Sequence, residues 1–177
     1  MFVAALTLLT NAVLPTDQNC NWLLGRWTGS IKAEDQLQHT EVTLTATAEG
    51  RLIVIDLDRR GLFGPLTERI VFRPDHAQPV AVSDAPYVSS PRRDKVTIGK
   101  DSLAFVSDPW EIGAKDPLHL SWSLSSGRYI PAEPPLGRLF VSAPRIEPDP
   151  NSLVMTWSGR LGDTLLGLEI GTLSRLR

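Results

Sequence analysis

The sequence predicts an all-β fold, an antiparallel up-and-down barrel of about eight to ten strands with a short N-terminal apolar or helical segment. Three observations predict it. After residue 27 the dominant hydrophobic period is two, turn residues separate the alternating segments at short intervals, and no amphipathic helix pattern follows the first twenty or so residues. Closing the series into a barrel removes the sheet edges that would otherwise pair with other chains.

Length and charge restrict the function classes. The chain has 177 residues, of which 42% are hydrophobic and 21% charged, as expected for one globular domain with a real core. We assign this domain to residues 21–177. The formal net charge is −2 and the lysines and arginines are scattered, so no basic face is available to neutralise many phosphates. Nucleic acid is therefore not an expected partner.

Residues 1–20 are expected to be a signal peptide or an N-terminal helix, and a misplaced start codon is a third reading. The segment opens with the apolar run MFVAALTLLTNAVLP, and Ala12 is an acceptable cleavage position. The run is shorter than the roughly 20 residues that span a bilayer, so we do not expect a transmembrane helix. A signal peptide would make the protein secreted or periplasmic; without one it would be cytoplasmic. Cys20 is the single cysteine, which excludes an internal disulfide and is consistent with a small buried thiol.

The predicted strands follow one another along the chain. A hairpin turning at Glu49-Gly50 comes first, and further strands are predicted in the segments LTERIVFRP, PVAVS, KVTIGKDSLAFVSD, PLHLSWSL, RLFVSAPRI, NSLVMTWSGRL and DTLLGLEIGTLSRLR. Two proline-containing stretches, 83–94 and 108–117, are predicted as long loops. The pairs Arg59-Arg60 and Arg92-Arg93 would form a small anion-binding patch if they met in space. We interpret them as solvated loop charges.

The apolar faces of these strands supply the candidate ligand-binding residues. In a wide barrel they would line a cavity for a small apolar ligand, and in a narrow barrel they would fill the core. The alternation does not choose between these two widths. The residues are Leu44, Ile55, Phe72, Phe105, Leu120, Trp122, Met155 and Trp157.

Candidates for catalysis are sparse. His119 shares a strand face with Ser121 and Ser123, and we interpret this face as the solvent-exposed outer face. If the face pointed into the barrel instead, His119 would be a polar contact for a ligand or a candidate acid/base. Asp56 and Asp58 lie on one strand face and would raise each other's pKa if buried, although we expect them to be solvated and balanced by neighbouring arginines. No metal-ligand spacing, nucleophile elbow or phosphate-binding loop occurs in the sequence.

The stretch NWLLGRWTGSI contains Gly25-x-Trp27 directly before the first strand, and the last predicted strand ends in GTLSRLR. With the strand series, these features resemble the calycin group, which comprises lipocalins, fatty-acid-binding proteins and related small barrels. The resemblance implies that Trp27 lies across the closed end of the barrel and that Arg175, or alternatively Arg177, packs on it. Gly25 would let the backbone turn beside the ring.

The form LLG-x-W-x-G also resembles bacterial lipocalin-like barrels, some of which bind haem. Those members place a ligating histidine late in the chain, whereas the last histidine here is His119. We therefore expect no cofactor and no metal. Three functions stay open: binding of a small hydrophobic ligand, a filled barrel that serves a structural or protein-interaction role, and a barrel isomerase, cyclase or hydrolase using His119 or Asp56 with Asp58.

Overall fold

The computed structural model describes residues 20–33, 39–61, 64–84, 91–109, 117–132 and 145–177. The predicted signal peptide or N-terminal helix therefore lies outside the described residues, except for Cys20. The described chain confirms the all-β prediction, because ten antiparallel strands close into one barrel. The only helical element in these ranges is a single 3-10 turn, η1 (Cys20–Trp22).

The strands follow one another in chain order. They are β1 (Gly25–Ala33), β2 (Thr40–Glu49), β3 (Leu52–Gly61), β4 (Gly64–Phe72), β5 (Val80–Asp84), β6 (Arg92–Ile98), β7 (Ser102–Ser107), β8 (Leu118–Ser126), β9 (Arg128–Ile130), β10 (Arg145–Glu147), β11 (Ser152–Leu161) and β12 (Thr164–Arg175).

The barrel has the up-and-down order that its sequence predicts. Strands β1 to β8 pair with their neighbours, β8 pairs with β11, and β12 pairs with β1 to close the ring. The segment RLFVSAPRI does not add a barrel strand in its described part, because Arg145–Glu147 pairs with β9 in a separate two-stranded sheet. This small sheet is inserted in the chain between two strands that are themselves adjacent in the barrel.

Alternation along each strand places one set of side chains in the lumen. On β6, for example, Arg92, Asp94 and Val96 are buried while Arg93 and Lys95 are exposed. The apolar lumen side chains form one continuous core that runs from Leu23 and Trp27 to Trp122 and Met155. Burying this apolar surface is the main force that holds the barrel together.

The first and last strands approach each other unusually closely. Gly171 on β12 lies opposite Ile31 on β1, and a methyl group at Gly171 would overlap the carbonyl of Ser30. Glycine at this position therefore sets the distance at which the barrel closes.

The strand directions define the two ends of the barrel. At one end, which we call the closed end, β1 begins next to η1 and β12 finishes. The other end, which we call the open end, carries the end of β1, the start of β6, the end of β7 and the turn at Gly162-Asp163. No helix in the described part of the chain is long and apolar enough to cross a bilayer.

Candidate functional site

Trp27 and Arg175 contact each other at the closed end of the barrel. Trp27 is fully buried, and its indole Nε1 donates a hydrogen bond to the Leu23 carbonyl at 2.7 Å. The Arg175 guanidinium lies 4.0 Å from the centre of the Trp27 ring and donates to the carbonyls of Leu24 at 2.7 Å and Trp22 at 3.1 Å. This one guanidinium therefore joins the last strand to η1 and to the start of β1.

Gly25 makes room for this contact. Its φ of 128° lies in a region that side chains with a Cβ rarely adopt, and a Cβ there would lie 2.8 Å from Arg175 Nη1. Cys20 is buried in the same core, and burial raises the pKa of its thiol above the ordinary value.

Farther along the lumen, aromatic side chains form a row. Phe72 meets Phe105 edge to face with the ring centres 5.7 Å apart, and Phe105 stacks on Trp122 at 3.9 Å with the planes within 5°. Trp122 and Trp157 follow at 6.3 Å. The Arg59 guanidinium ends the row, 3.9 Å from the centre of the Trp157 ring.

Three charged side chains are buried in the lumen near the open end. Arg92 makes two parallel hydrogen bonds to Asp94, from Nε to Oδ1 and from Nη2 to Oδ2, both at 2.8 Å. Arg92 Nη2 also lies 2.6 Å from Glu68 Oε1. This second contact is an ion pair without good hydrogen-bond geometry. The forked contact uses both oxygens of Asp94, whereas Glu68 contacts the guanidinium through one oxygen only.

Several buried polar atoms on lumen-facing side chains have no hydrogen-bond partner among the described residues. They include Glu68 Oε2, Ser83 Oγ and Trp122 Nε1, on side chains that belong to residues only 1%, 0% and 3% exposed. Ser83 lies directly opposite Arg92 across β5 and β6, so it borders the ion pairs. Leaving a buried polar atom without a hydrogen bond costs about 1–3 kcal/mol, so a hydrogen-bonding partner for these atoms would be stabilising.

The residues proposed to bind a ligand lie on the lumen side of their strands. Leu44, Ile55, Phe72, Phe105, Trp122 and Met155 belong to the buried core, Trp157 packs against it, and Leu120 is half-buried. The first three are fully or almost fully buried toward the closed end, where they fill the lumen. Trp122 and Trp157 lie where the apolar core meets the polar atoms. Leu120 and Trp157, the two that are half-buried, lie in the open half of the lumen.

The candidates for acid/base chemistry are not brought together. Asp56 and Asp58 lie on the outer face of β3, where each pairs with an arginine: Arg69 is 3.6 Å from Asp56, and Arg60 is 3.7 Å from Asp58. His119 is half-buried and lies opposite Arg160, out of phase with the inward-facing Trp122. None of the three shares a face with the buried ion pairs.

A concave surface lies on the outside of the barrel. This groove of about 620 Å³ crosses the outer faces of β12, β1, β2 and β3. It is open to solvent and lined mainly by short hydroxyl side chains and scattered charges. Its lining contains none of the unpartnered buried atoms, so we place the candidate site in the lumen. The lining residues are Thr28, Gly29, Ser30, His39, Glu41, Val42, Thr43, Asp58, Arg60 and Thr172.

Comparison with known proteins assigns no family. No protein-family model matches the chain, and no curated protein matches its sequence. Within the described ranges, no group of three or more histidine, cysteine or carboxylate side chains is arranged to hold a metal ion. The site is therefore defined by its own geometry.

Two sequence interpretations need correction. Arg92 and Asp94 were expected in a solvated loop, but they belong to β6 and face the lumen. Arg59 was expected to be a solvated charge beside Asp56 and Asp58, yet it reaches through the lumen to Trp157. In RRDKVTI the alternation of buried and exposed positions begins at Arg92, four residues before Val96, the first apolar residue of the segment. Charge at the inward positions concealed it.

Proposed function

We propose that this protein is a lipocalin-like carrier that binds a small hydrophobic ligand in the open half of its barrel. The observation that carries the proposal is the continuity between the aromatic row and the buried polar atoms beside it. A ligand pocket typically combines apolar and aromatic walls with a few polar groups that fix orientation. Trp122 offers both, because its ring belongs to the row and its Nε1 lacks a partner among the described residues.

The closed end supports the same proposal. The contact between Trp27 and Arg175 has the form that the calycin resemblance implies, and the ten-stranded closed barrel is compatible with that group. Sealing one end restricts access to the other, and ligand entry would then pass the contact between Arg59 and Trp157. Both of these side chains are only half-buried.

The test is direct binding. Native mass spectrometry of the purified chain would detect a retained small molecule, and calorimetric titration with naphthalene derivatives and fatty alcohols would measure affinity. We expect binding that weakens at least tenfold in Trp157→Leu and is unchanged in Leu166→Ala, which alters an exposed side chain of β12. A clean native mass together with no heat from any compound would refute the proposal.

A filled barrel is the second candidate, and packing in the closed half favours it. Leu44, Ile55, Phe105 and Leu124 are all fully buried, as the side chains of a close-packed core are. If the open half is equally filled, the protein would act through its outer surface on a protein partner. Failure of the ligand titrations would support this candidate.

A further inference from the structure

We propose that Glu68 recognises a protonated amine on the ligand, so that the cargo is a small aromatic or aliphatic amine and not a fatty acid. This inference rests on the proposed function and specifies the chemistry of the ligand. It starts from the charges in the open half of the lumen. Glu68 and Asp94 supply two negative charges and Arg92 supplies one positive charge, which leaves one carboxylate in excess within this cluster.

The hydrogen bonds show which carboxylate is in excess. Asp94 uses both oxygens in its forked contact with Arg92. Glu68 meets the same guanidinium through Oε1 alone, and Oε2 has no hydrogen-bond partner in the described part of the chain. A carboxylate that is 1% exposed requires compensation for the charge that it has withdrawn from water.

The groups around Glu68 Oε2 indicate which kind of ligand group would compensate its negative charge. Ser83 Oγ borders the cluster as a second group able to accept a hydrogen bond, and the Trp122 and Trp157 rings face the same lumen. A primary ammonium carries three donors, which suits acceptors on several sides, and aromatic rings attract cations. A carboxylate ligand would instead meet the excess negative charge of this cluster.

Arg59 does not reverse this preference. Its guanidinium is placed on the Trp157 ring at the mouth of the lumen, where both side chains remain half-buried. Positive charge at the mouth and negative charge deeper inside would orient an amine with its head inward, past Trp157, and its apolar body along the aromatic row.

The test compares four probes that share one apolar body: 2-(2-naphthyl)ethylamine, 2-(2-naphthyl)ethanol, 2-naphthylacetate and 2-ethylnaphthalene. Calorimetry on the full chain at pH 7 is expected to rank the amine at least tenfold tighter than the alcohol and the carboxylate weakest. Glu68→Gln, which keeps the shape of the side chain, is expected to abolish the preference for the amine. The matched control Glu41→Gln, on the exposed outer face of β2, is expected to retain it.

Each result decides between the proposals. Tightest binding of the carboxylate or of ethylnaphthalene would overturn the amine inference and leave ligand binding standing. Retention of the amine preference in Glu68→Gln would also overturn it. If none of the four probes binds, the amine inference fails, and ligand binding fails with it only if the native mass is clean and the fatty alcohols also give no heat. The ranking in the wild-type chain is decisive even if Glu68→Gln does not fold.

Discussion

The guanidinium of Arg59 lies 3.9 Å from the centre of the Trp157 ring, although the strands that carry them are not neighbours. On the shorter way around the barrel, β2, β1 and β12 separate β3 from β11. The contact therefore spans the lumen and ties two walls together. Such a cation–π pair contributes about 0.5–2 kcal/mol, with the larger value where water is excluded.

Removing Arg59 should open the mouth of the lumen. In Arg59→Ala we expect the tryptophan emission to shift to the red and its quenching by acrylamide to increase, because Trp157 loses the group that covers its face. Arg60→Ala is the matched control, since Arg60 is exposed on the outer face of the same strand. Equal quenching of both variants would contradict a covering role for Arg59.

The buried ion pairs should be sensitive to loss of their cation. Arg92→Ala leaves Glu68 and Asp94 buried without a counter-charge, and we expect the free energy of unfolding in urea to fall by about 3–5 kcal/mol. Arg93→Ala removes an exposed neighbour on the same strand and should change it by less than about 0.5 kcal/mol. A small loss for Arg92→Ala would mean that the two carboxylates do not depend on it.

The contact between Arg175 and Trp27 at the closed end should contribute as much to the free energy of unfolding as a buried core side chain does. Arg175→Ala removes two hydrogen bonds to main-chain carbonyls and the contact with Trp27, so we expect a loss of about 2–4 kcal/mol in the free energy of unfolding. Arg177→Ala, two residues later at an exposed position, is the control. Chemical denaturation of both variants would measure the difference, and similar stabilities would rule out a sealing role.

Two glycines of β12 allow the effect of close packing on stability to be distinguished from the effect of strand propensity. Gly171→Ala forces a methyl group against the backbone of β1, and we expect it to cost about 2 kcal/mol or more in unfolding free energy. A methyl group at Gly167 meets no atom within 4 Å, so Gly167→Ala should be neutral or slightly stabilising. Thermal unfolding of the two variants compares them directly, and a neutral Gly171→Ala would contradict the close approach of the two strands.

The thiol of Cys20 should respond to pH in a defined direction. Burial raises its pKa above the ordinary value of 9.0, so at pH 8 the folded protein holds less thiolate than the unfolded chain. We expect slow reaction with a disulfide reagent in buffer and fast reaction in urea. The thiol's contribution to stability is fully present below pH 9.0 and is lost as the pH rises through the raised value. Fast reaction of the folded protein would contradict this burial.

The alternation of apolar and polar residues made the barrel predictable, because apolar side chains at every second position leave few arrangements other than a sheet buried on one face. PLHLSWSL is an example: Trp122 and Leu124 are buried, as the alternation indicates. The contact between Trp27 and Arg175 was expected only from the resemblance of the terminal segments to a family.

The polar part of the candidate site could not be predicted in the same way. Arg92 and Asp94 occupy inward positions where a hydrophobic pattern predicts apolar side chains. Each compensates the buried charge of the other, and β4 places Glu68 beside them. Which long side chains cross a lumen depends on barrel curvature and on residues far away in sequence. A local sequence pattern therefore does not predict which of these side chains contact each other.

The pairing of the first and last barrel strands also bears on how the chain reaches its native state. The hydrogen bond from Arg175 to the Leu24 carbonyl joins residues 151 positions apart. Bringing such distant segments together is opposed by chain entropy, and folds dominated by distant pairings form slowly. The hairpins from β2 to β8 can form from local contacts, whereas β1 can meet β12 only when the rest of the sheet has curled. Trp27 fluorescence should therefore report the last event of folding, and the half-closed sheet that precedes it exposes two unpaired edges to other chains.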